Sequence, residues 1–200
     1  MTKFLLIRHA TTAALGKSLS GRMQDVHLDV NGQQQARQLA KRLAALKIDA
    51  IYSSPLERTL ETAAPLAEQM QLPCSVAEEL VELDFGDWTD CSFTQLADDP
   101  TFKRFNTFRS ITRIPGGETM QEAQTRLITG LERLAKKHPN EVVAVFSHSD
   151  IIKSAVAYYA GIHLDLFQRL EISPASVSVI DLFDDTARIV CINDTGTFGV

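Results

Sequence analysis

The sequence predicts an α/β protein: a three-layer α/β/α arrangement with a mostly parallel central sheet, one antiparallel edge strand and a small helical insertion. Three observations predict it. Apolar runs of strand length alternate with amphipathic stretches of helical period along most of the chain. Near its end, "SVSVIDLFDD" and "ARIVCIND" follow one another across a short polar turn at residues 184–186, which makes them an antiparallel pair. Residues 89–114 break the alternation, carrying Phe93, Phe102, Phe105 and Phe108 with basic residues between them.

"KFLLIRH" reads as a first buried strand. "NGQQQARQLAKRLAALK" places Ala36, Leu39, Ala40, Leu43 and Leu46 on one helical face. "IDAIYSSP" is a second strand, and "LERTLETAAPLAEQMQ" a second helix with Leu56, Leu60, Ala63 and Ala67 aligned and Pro65 as a potential kink. "CSVAEEL" is a third strand. "ETMQEAQTRLITGLERLAKKH" is the longest helix and leads into "EVVAVFSH", the strongest strand signal; "DIIKSAVAYYAGI" is helical again. The chain is expected to be one unit over 1–200, with a cap insertion at 89–114.

The 200 residues are 44% hydrophobic and 22% charged, ordinary values for a globular protein. A formal net charge of -5 gives no bulk footing for nucleic acid or a membrane surface, so an anion site must be local. Cys74, Cys91 and Cys191 are an odd set without a C-x-x-C pair, read as reduced, mostly buried thiols, with no disulfide frame or zinc site. "MTKFLLIRH" is too short for a signal peptide, and no stretch reaches membrane-spanning length. A cytoplasmic location is expected. The sequence carries no signal for oligomeric state.

In open α/β sheets ligands bind beyond the carboxyl ends of the strands. Here the first strand ends in Arg8 and His9, the second is followed by Arg58 in the first helical turn, and "EVVAVFSH" ends in Ser147 and His148. "VELDFGDW" follows the third strand and can bring Glu82 to the same rim. This set suits phosphoryl transfer. The arginines fork onto phosphate oxygens, a neutral histidine attacks phosphorus in line, the second donates to the transferring oxygens, and a protonated Glu82 serves the leaving oxygen. No metal or cofactor is required.

These same residues carry a resemblance. "LLIRHATT" is similar to the R-H-G-x-T signature of the histidine phosphatase superfamily, also called phosphoglycerate mutase-like. "SGRMQDVHLDVNGQQQA", "IYSSPLERTLETA", "ELVELDFGDW", "PGGET" and "VFSHSDIIK" resemble further family segments in the same order, from about residue 4 to residue 153. The resemblance implies His9 as nucleophile, Arg8, Arg58 and His148 as the phosphate pocket, Glu82 as proton donor, and Ser20 and Gly21 as loop contacts to the phosphate, with Arg22 as an extra. Ala10 stands for the usual glycine, tolerable if its φ stays negative. The family's asparagine after the histidine has no match, with Leu15 or Gly16 in that region, and "SHSD" replaces the commoner S-H-G-G.

Other residues have blander readings. Asp150 reads as a helix N-cap, or as a negative charge carried into the site. Glu118 reads as structural, Trp88 as core or pocket wall, and Phe102, Phe105 and Phe108 as subdomain core. His27, His138 and His163 show no partner pattern and read as surface. The expected function is a metal-independent phosphomonoesterase acting through phosphohistidine on a small phosphorylated metabolite. The alternatives are a phosphoglycerate mutase, for which Lys103, Arg104, Arg109 and Arg113 would supply basic groups, and a catalytically weak phosphate- or phosphoprotein-binding module.

Overall fold

The computed structural model describes residues 1–196, so the last four residues of the expected unit lie outside the described residues. A six-stranded sheet is formed by β1 (Thr2–Arg8), β2 (Ala50–Ser53), β3 (Cys74–Val76), β4 (Val142–Ser147), β5 (Val177–Leu182) and β6 (Ala187–Asp194), in the order β3-β2-β4-β1-β5-β6. The first four are parallel; β5 runs against β1, and β6 pairs antiparallel to β5. The antiparallel edge is therefore a hairpin of two strands, closed by the Phe183 N–H donating to the Thr186 carbonyl at 2.8 Å.

Burial on both faces explains the continuous apolar run of β1. Leu5 and Ile7 point into one core with Ile51, Ala144 and Phe146, and there meet Ala36, Leu39, Ala40 and Leu43 of α1 (Val30–Leu43) and Ala63 and Leu66 of α2 (Glu57–Met70). Phe4 and Leu6 point into the other core with Val143 and Val145. There they meet α5 (Met120–Lys137) through Leu127 and Leu131 and α6 (Ser149–Ala160) through Ile151, Ile152 and Ala155. Period-2 strands between two period-3.6 faces give the three layers.

Several elements depart from expectation for identifiable reasons. α2 continues through Pro65, and its inner face is Arg58, Thr59, Thr62, Ala63 and Leu66, with polar groups where an apolar stripe was expected. α1 stops before Leu46, which is exposed. "CSVAEEL" is only half strand: β3 ends at Val76 and Glu78–Leu80 turns as a 3₁₀ helix, because β2 offers just three residues to pair. The three thiols are free but half-buried.

Residues 89–114 hold two short helices, α3 (Phe93–Leu96) and α4 (Pro100–Thr107). A capping box between Ser92 and Gln95 starts the first, and Asp99 caps the second ahead of Pro100. Phe105 is wholly buried, and Trp88 meets Phe102 and Phe105 edge-on at 5.3 and 5.6 Å. Phe93 and Phe108 face outward. Among the described residues no helix is long and apolar enough to cross a membrane.

Phe146 is wholly buried between β4 and the α1/α2 layer. Phe146→Ala should cost about 3–5 kcal/mol of unfolding free energy in urea denaturation; a loss of about 1 kcal/mol or less would contradict the packing described.

Candidate active site

Strand register builds the site. β1 and β4 pair in parallel with Arg8 opposite Ser147, and the His9 N–H donates to the Ser147 carbonyl at 2.9 Å. The next residues on the two strands, His9 and His148, are thereby neighbours, their rings 5.3 Å apart and tilted by 59°. β2 pairs with the other side of β4, so Ser54 and the start of α2 arrive beside His148, bringing Arg58. Arg8, His9, Arg58, Glu82, Ser20, Gly21 and Asp150 all border one pocket of about 230 Å³, with Phe93 and Leu15 at its wall.

The loop after His9 is pinned rather than free. The Ala10 N–H donates to Thr62 Oγ1 at 3.0 Å, Thr11 N–H to Gln35 Oε1 at 3.0 Å, and Thr11 Oγ1 to Asp29 Oδ1 at 2.8 Å. Gly32 is required where α1 passes this loop, since a Cβ there would lie 2.1 Å from the Thr11 carbonyl oxygen. Ala10 has no positive φ, so replacing the family's glycine carries no backbone strain.

His9 Nδ1 lies 2.7 Å from the Ala10 carbonyl, which can only accept. The ring proton therefore sits on Nδ1, and Nε2 keeps its lone pair. Burial and the adjacent Arg58 and Arg8 hold the His9 pKa down to about 3, so the ring is neutral. His148, wholly buried, is also held well below the ordinary histidine value by burial and by Arg58. Its Nε2 is 2.8 Å from Ser54 Oγ, while its Nδ1 has no hydrogen-bond partner and lies 3.8 Å from Glu82 Oε2.

Two arginines that border this pocket keep a buried nitrogen unpaired. Arg58 is 2% exposed and gives Nη2 to the Gly21 carbonyl at 2.6 Å, but its Nη1 is unpaired. Arg8 gives Nη1 to the Ile172 carbonyl at 2.6 Å, and its Nε is unpaired. α6 begins at Ser149 directly after His148 with no side-chain cap, so its first-turn N–H groups add to the positive end. Each unsatisfied buried donor costs about 1–3 kcal/mol, a cost that a multiply charged oxyanion would relieve.

Glu82 has the opposite character. Burial raises its pKa to about 7 and the nearby Asp150 charge adds to the effect, outweighing Arg58, the Leu83 N–H and Arg8. Its carboxyl is thus mostly protonated below about pH 7 and mostly ionised above it. A clamp places it: Glu118 Oε1 accepts from Arg22 and Arg126 at 2.8 Å each and from the Asp84 N–H at 3.0 Å. Arg22 Nε holds the Glu82 carbonyl at 2.9 Å, and Arg126 Nη1 holds those of Glu79 and Val81. Among the described residues no group of three or more His, Cys, Asp and Glu side chains is arranged to hold a metal ion.

The histidine phosphatase superfamily (branch 1) model matches residues 4–195. The chain belongs to this superfamily. It is 29% identical to phosphoserine phosphatase 1 of Hydrogenobacter thermophilus, over 100% of this chain and 95% of that one. It is 30% identical to phosphoglycerate mutase-like protein 4 of Arabidopsis thaliana, covering 91% and 80% of the two chains. A mutant phosphoserine phosphatase of Entamoeba histolytica, solved with phosphoserine, superposes with a TM-score of 0.88 at 26% identity over 98% of each chain.

The structure thus brings Arg8, His9, Arg58 and Glu82 together at one pocket with Ser20 at the wall, and sets His148 behind His9 and Glu82. Gly21 borders the pocket too, and its carbonyl orients Arg58, while Arg22 belongs to the Glu118 clamp. Asp150 is not the N-cap of α6, a position His148 occupies; it sits in the first turn and pairs with Arg109 at 2.9 Å. His138 is not a surface residue, its ring lying between Tyr52 Oη at 2.9 Å and Glu141 at 2.6 Å. His27 and His163 are exposed, each beside a carboxylate. Residues missed from the sequence are Ser54, whose only signal was the "SSP" at a strand end, and the Glu118–Arg126 clamp, which joins distant segments and leaves no local pattern.

Because Arg58 buries a half-satisfied guanidinium, Arg58→Met should leave the empty protein at least as stable. The variant should bind inorganic phosphate about tenfold or more weakly, read as the phosphate-induced rise in Tm. Equal phosphate-induced shifts in both proteins would remove Arg58 from the anion site.

Proposed function

We propose that this chain is a phosphomonoesterase working through a phosphohistidine intermediate on a small phosphorylated metabolite, a chemistry complete in its own side chains. The observation that carries the proposal is that three buried nitrogens, Arg8 Nε, Arg58 Nη1 and His148 Nδ1, lack a hydrogen-bond partner on side chains gathered around a neutral histidine. His9 Nε2 attacks phosphorus and the ester P–O bond breaks. The arginines and His148 hold the transferring oxygens as charge shifts onto them. Glu82 gives its proton to the departing alcohol oxygen, then takes one from the water that attacks the phosphohistidine, releasing phosphate and restoring His9. Ser20 adds a wall hydroxyl, and Gly21 positions Arg58.

Residues 89–114 act as the cap over this pocket, a reading supported by Phe93 at its wall. Phosphoserine is a first candidate substrate, because two of the relatives named above are phosphoserine phosphatases. The mutase reading is weaker. Lys103 pairs with Asp98, Arg109 with Asp150 and Arg113 with Glu122, and none of these three basic residues, nor Arg104, borders the pocket. Three free cysteines fit a reducing cytoplasm.

Rapid quenching of a reaction with ³²P-labelled substrate should trap acid-labile, alkali-stable phosphate on His9, and His9→Ala should give neither label nor turnover above background. Wild-type turnover in His9→Ala would end this mechanism.

Glu82 sets a pH limit whose sign follows from its raised pKa. The proton it donates is present below about pH 7 and lost above it. With an alkyl phosphate, kcat/KM should therefore fall on the alkaline side of about pH 7, and Glu82→Gln should abolish that limb while lowering the rate about 10²–10⁴-fold. With p-nitrophenyl phosphate, whose leaving group needs no proton, the loss should be much smaller. An equal loss on both substrates would deny Glu82 the acid role.

A further inference from the structure

The pocket contains a carboxylate that the phosphate chemistry does not use. Asp150 Oδ2 accepts from Arg109 Nη1 at 2.9 Å, and Arg109 is itself nearly inaccessible. The guanidinium sits between the rings of Phe105 and Phe167, 4.4 and 4.7 Å from their centroids, and gives Nη2 to Asn106 Oδ1 at 3.0 Å. The arginine end of the pair is thus immobilised by packing, and it holds Asp150 Oδ2. Among the described residues Asp150 Oδ1 accepts no hydrogen bond, and the side chain, 19% exposed, borders the pocket.

Resting on the phosphatase reading, we propose that Asp150 is a specificity-determining residue that selects phosphate monoesters bearing an ammonium group, accepting an N–H of that group at Oδ1. Arg109 alone does not account for it, since Oδ2 already satisfies that partner. The rest of the pocket agrees. Its only cations among the described residues are Arg8 and Arg58, both engaged by the phosphate in this mechanism, and its outer wall is apolar or hydroxylic, with Leu15, Leu19, Phe93 and Ser18. A substrate whose only charge besides the phosphate is a carboxylate would meet a like charge there; an ammonium, alone or as part of an amino acid, would meet an acceptor already held in place. The influence of Asp150 on Glu82 places the same carboxylate close to the leaving-group side.

The test is phosphate release from three small monoesters that differ in charge: O-phosphoethanolamine, ethyl phosphate and phosphoglycolate. Wild type should rank them in that order by kcat/KM. Asp150→Asn should cut the preference for phosphoethanolamine over phosphoglycolate about tenfold or more, mostly through KM, while Asp150→Glu keeps the order. An effect working only through Glu82 or through the fold would lower all three substrates by one factor, and that result overturns the proposal. So does a wild type with no charge preference. If wild type releases phosphate from none of the three and forms no phosphoenzyme, the phosphatase reading itself fails and the proposal goes with it.

Discussion

Hydrogen bonding between β1 and β4 runs Lys3 to Arg8 against Val142 to Ser147, and everything at the carboxyl edge of the sheet inherits that register. A shift of one residue would turn Phe4 and Leu6 into the opposite core and part His9 from His148. The two-sided burial of these strands forbids such a shift, so the same apolar packing that stabilises the sheet also fixes the distance between the histidines. β2 extends the effect on the far side of β4, delivering Ser54 to His148 and Arg58 to the space beyond. The site is a consequence of core packing rather than an addition to it.

The polar edge is a standing cost to the empty fold. Two guanidinium groups and an imidazole keep nitrogens unpaired, and burial pushes the pKa of the glutamate in their midst up to about 7. Burial acts in opposite senses on these groups: it keeps His9 neutral while raising the pKa of Glu82. In the proposed mechanism one environment thus supplies an attacking group and a leaving-group acid at the same pH. Rigid second contacts keep the arrangement from collapsing onto itself: Gly21 and Ile172 carbonyls hold the arginines back, and Glu118, with Arg22 and Arg126, anchors the glutamate loop.

The sheet was legible because strands buried on both faces write continuous apolar runs, and α1 because Ala36, Leu39, Ala40 and Leu43 repeat at helical spacing. α2 was read with the wrong stripe: its inward face is partly Arg58, Thr59 and Thr62, polar because it serves the site rather than the core. That Arg8, His9, Arg58, Glu82 and His148 would gather at one edge of the sheet was legible from strand ends and ordered motifs. What could not be read were long-range polar contacts. Asp150 finds Arg109 across 41 residues, Glu118 finds Arg22 across 96, and His138 finds Tyr52 across 86, and in each case the partner exists only once the chain is folded.

The central claim is that the unpaired donors of Arg8, Arg58 and His148 define the place of a phosphoryl group in line with His9. A crystal structure with vanadate measures it most directly. Vanadium should lie at bonding distance from His9 Nε2, with its oxygens on Arg8 Nε, Arg58 Nη1 and His148 Nδ1. Vanadate bound elsewhere, or bound in this pocket away from His9, would contradict the account.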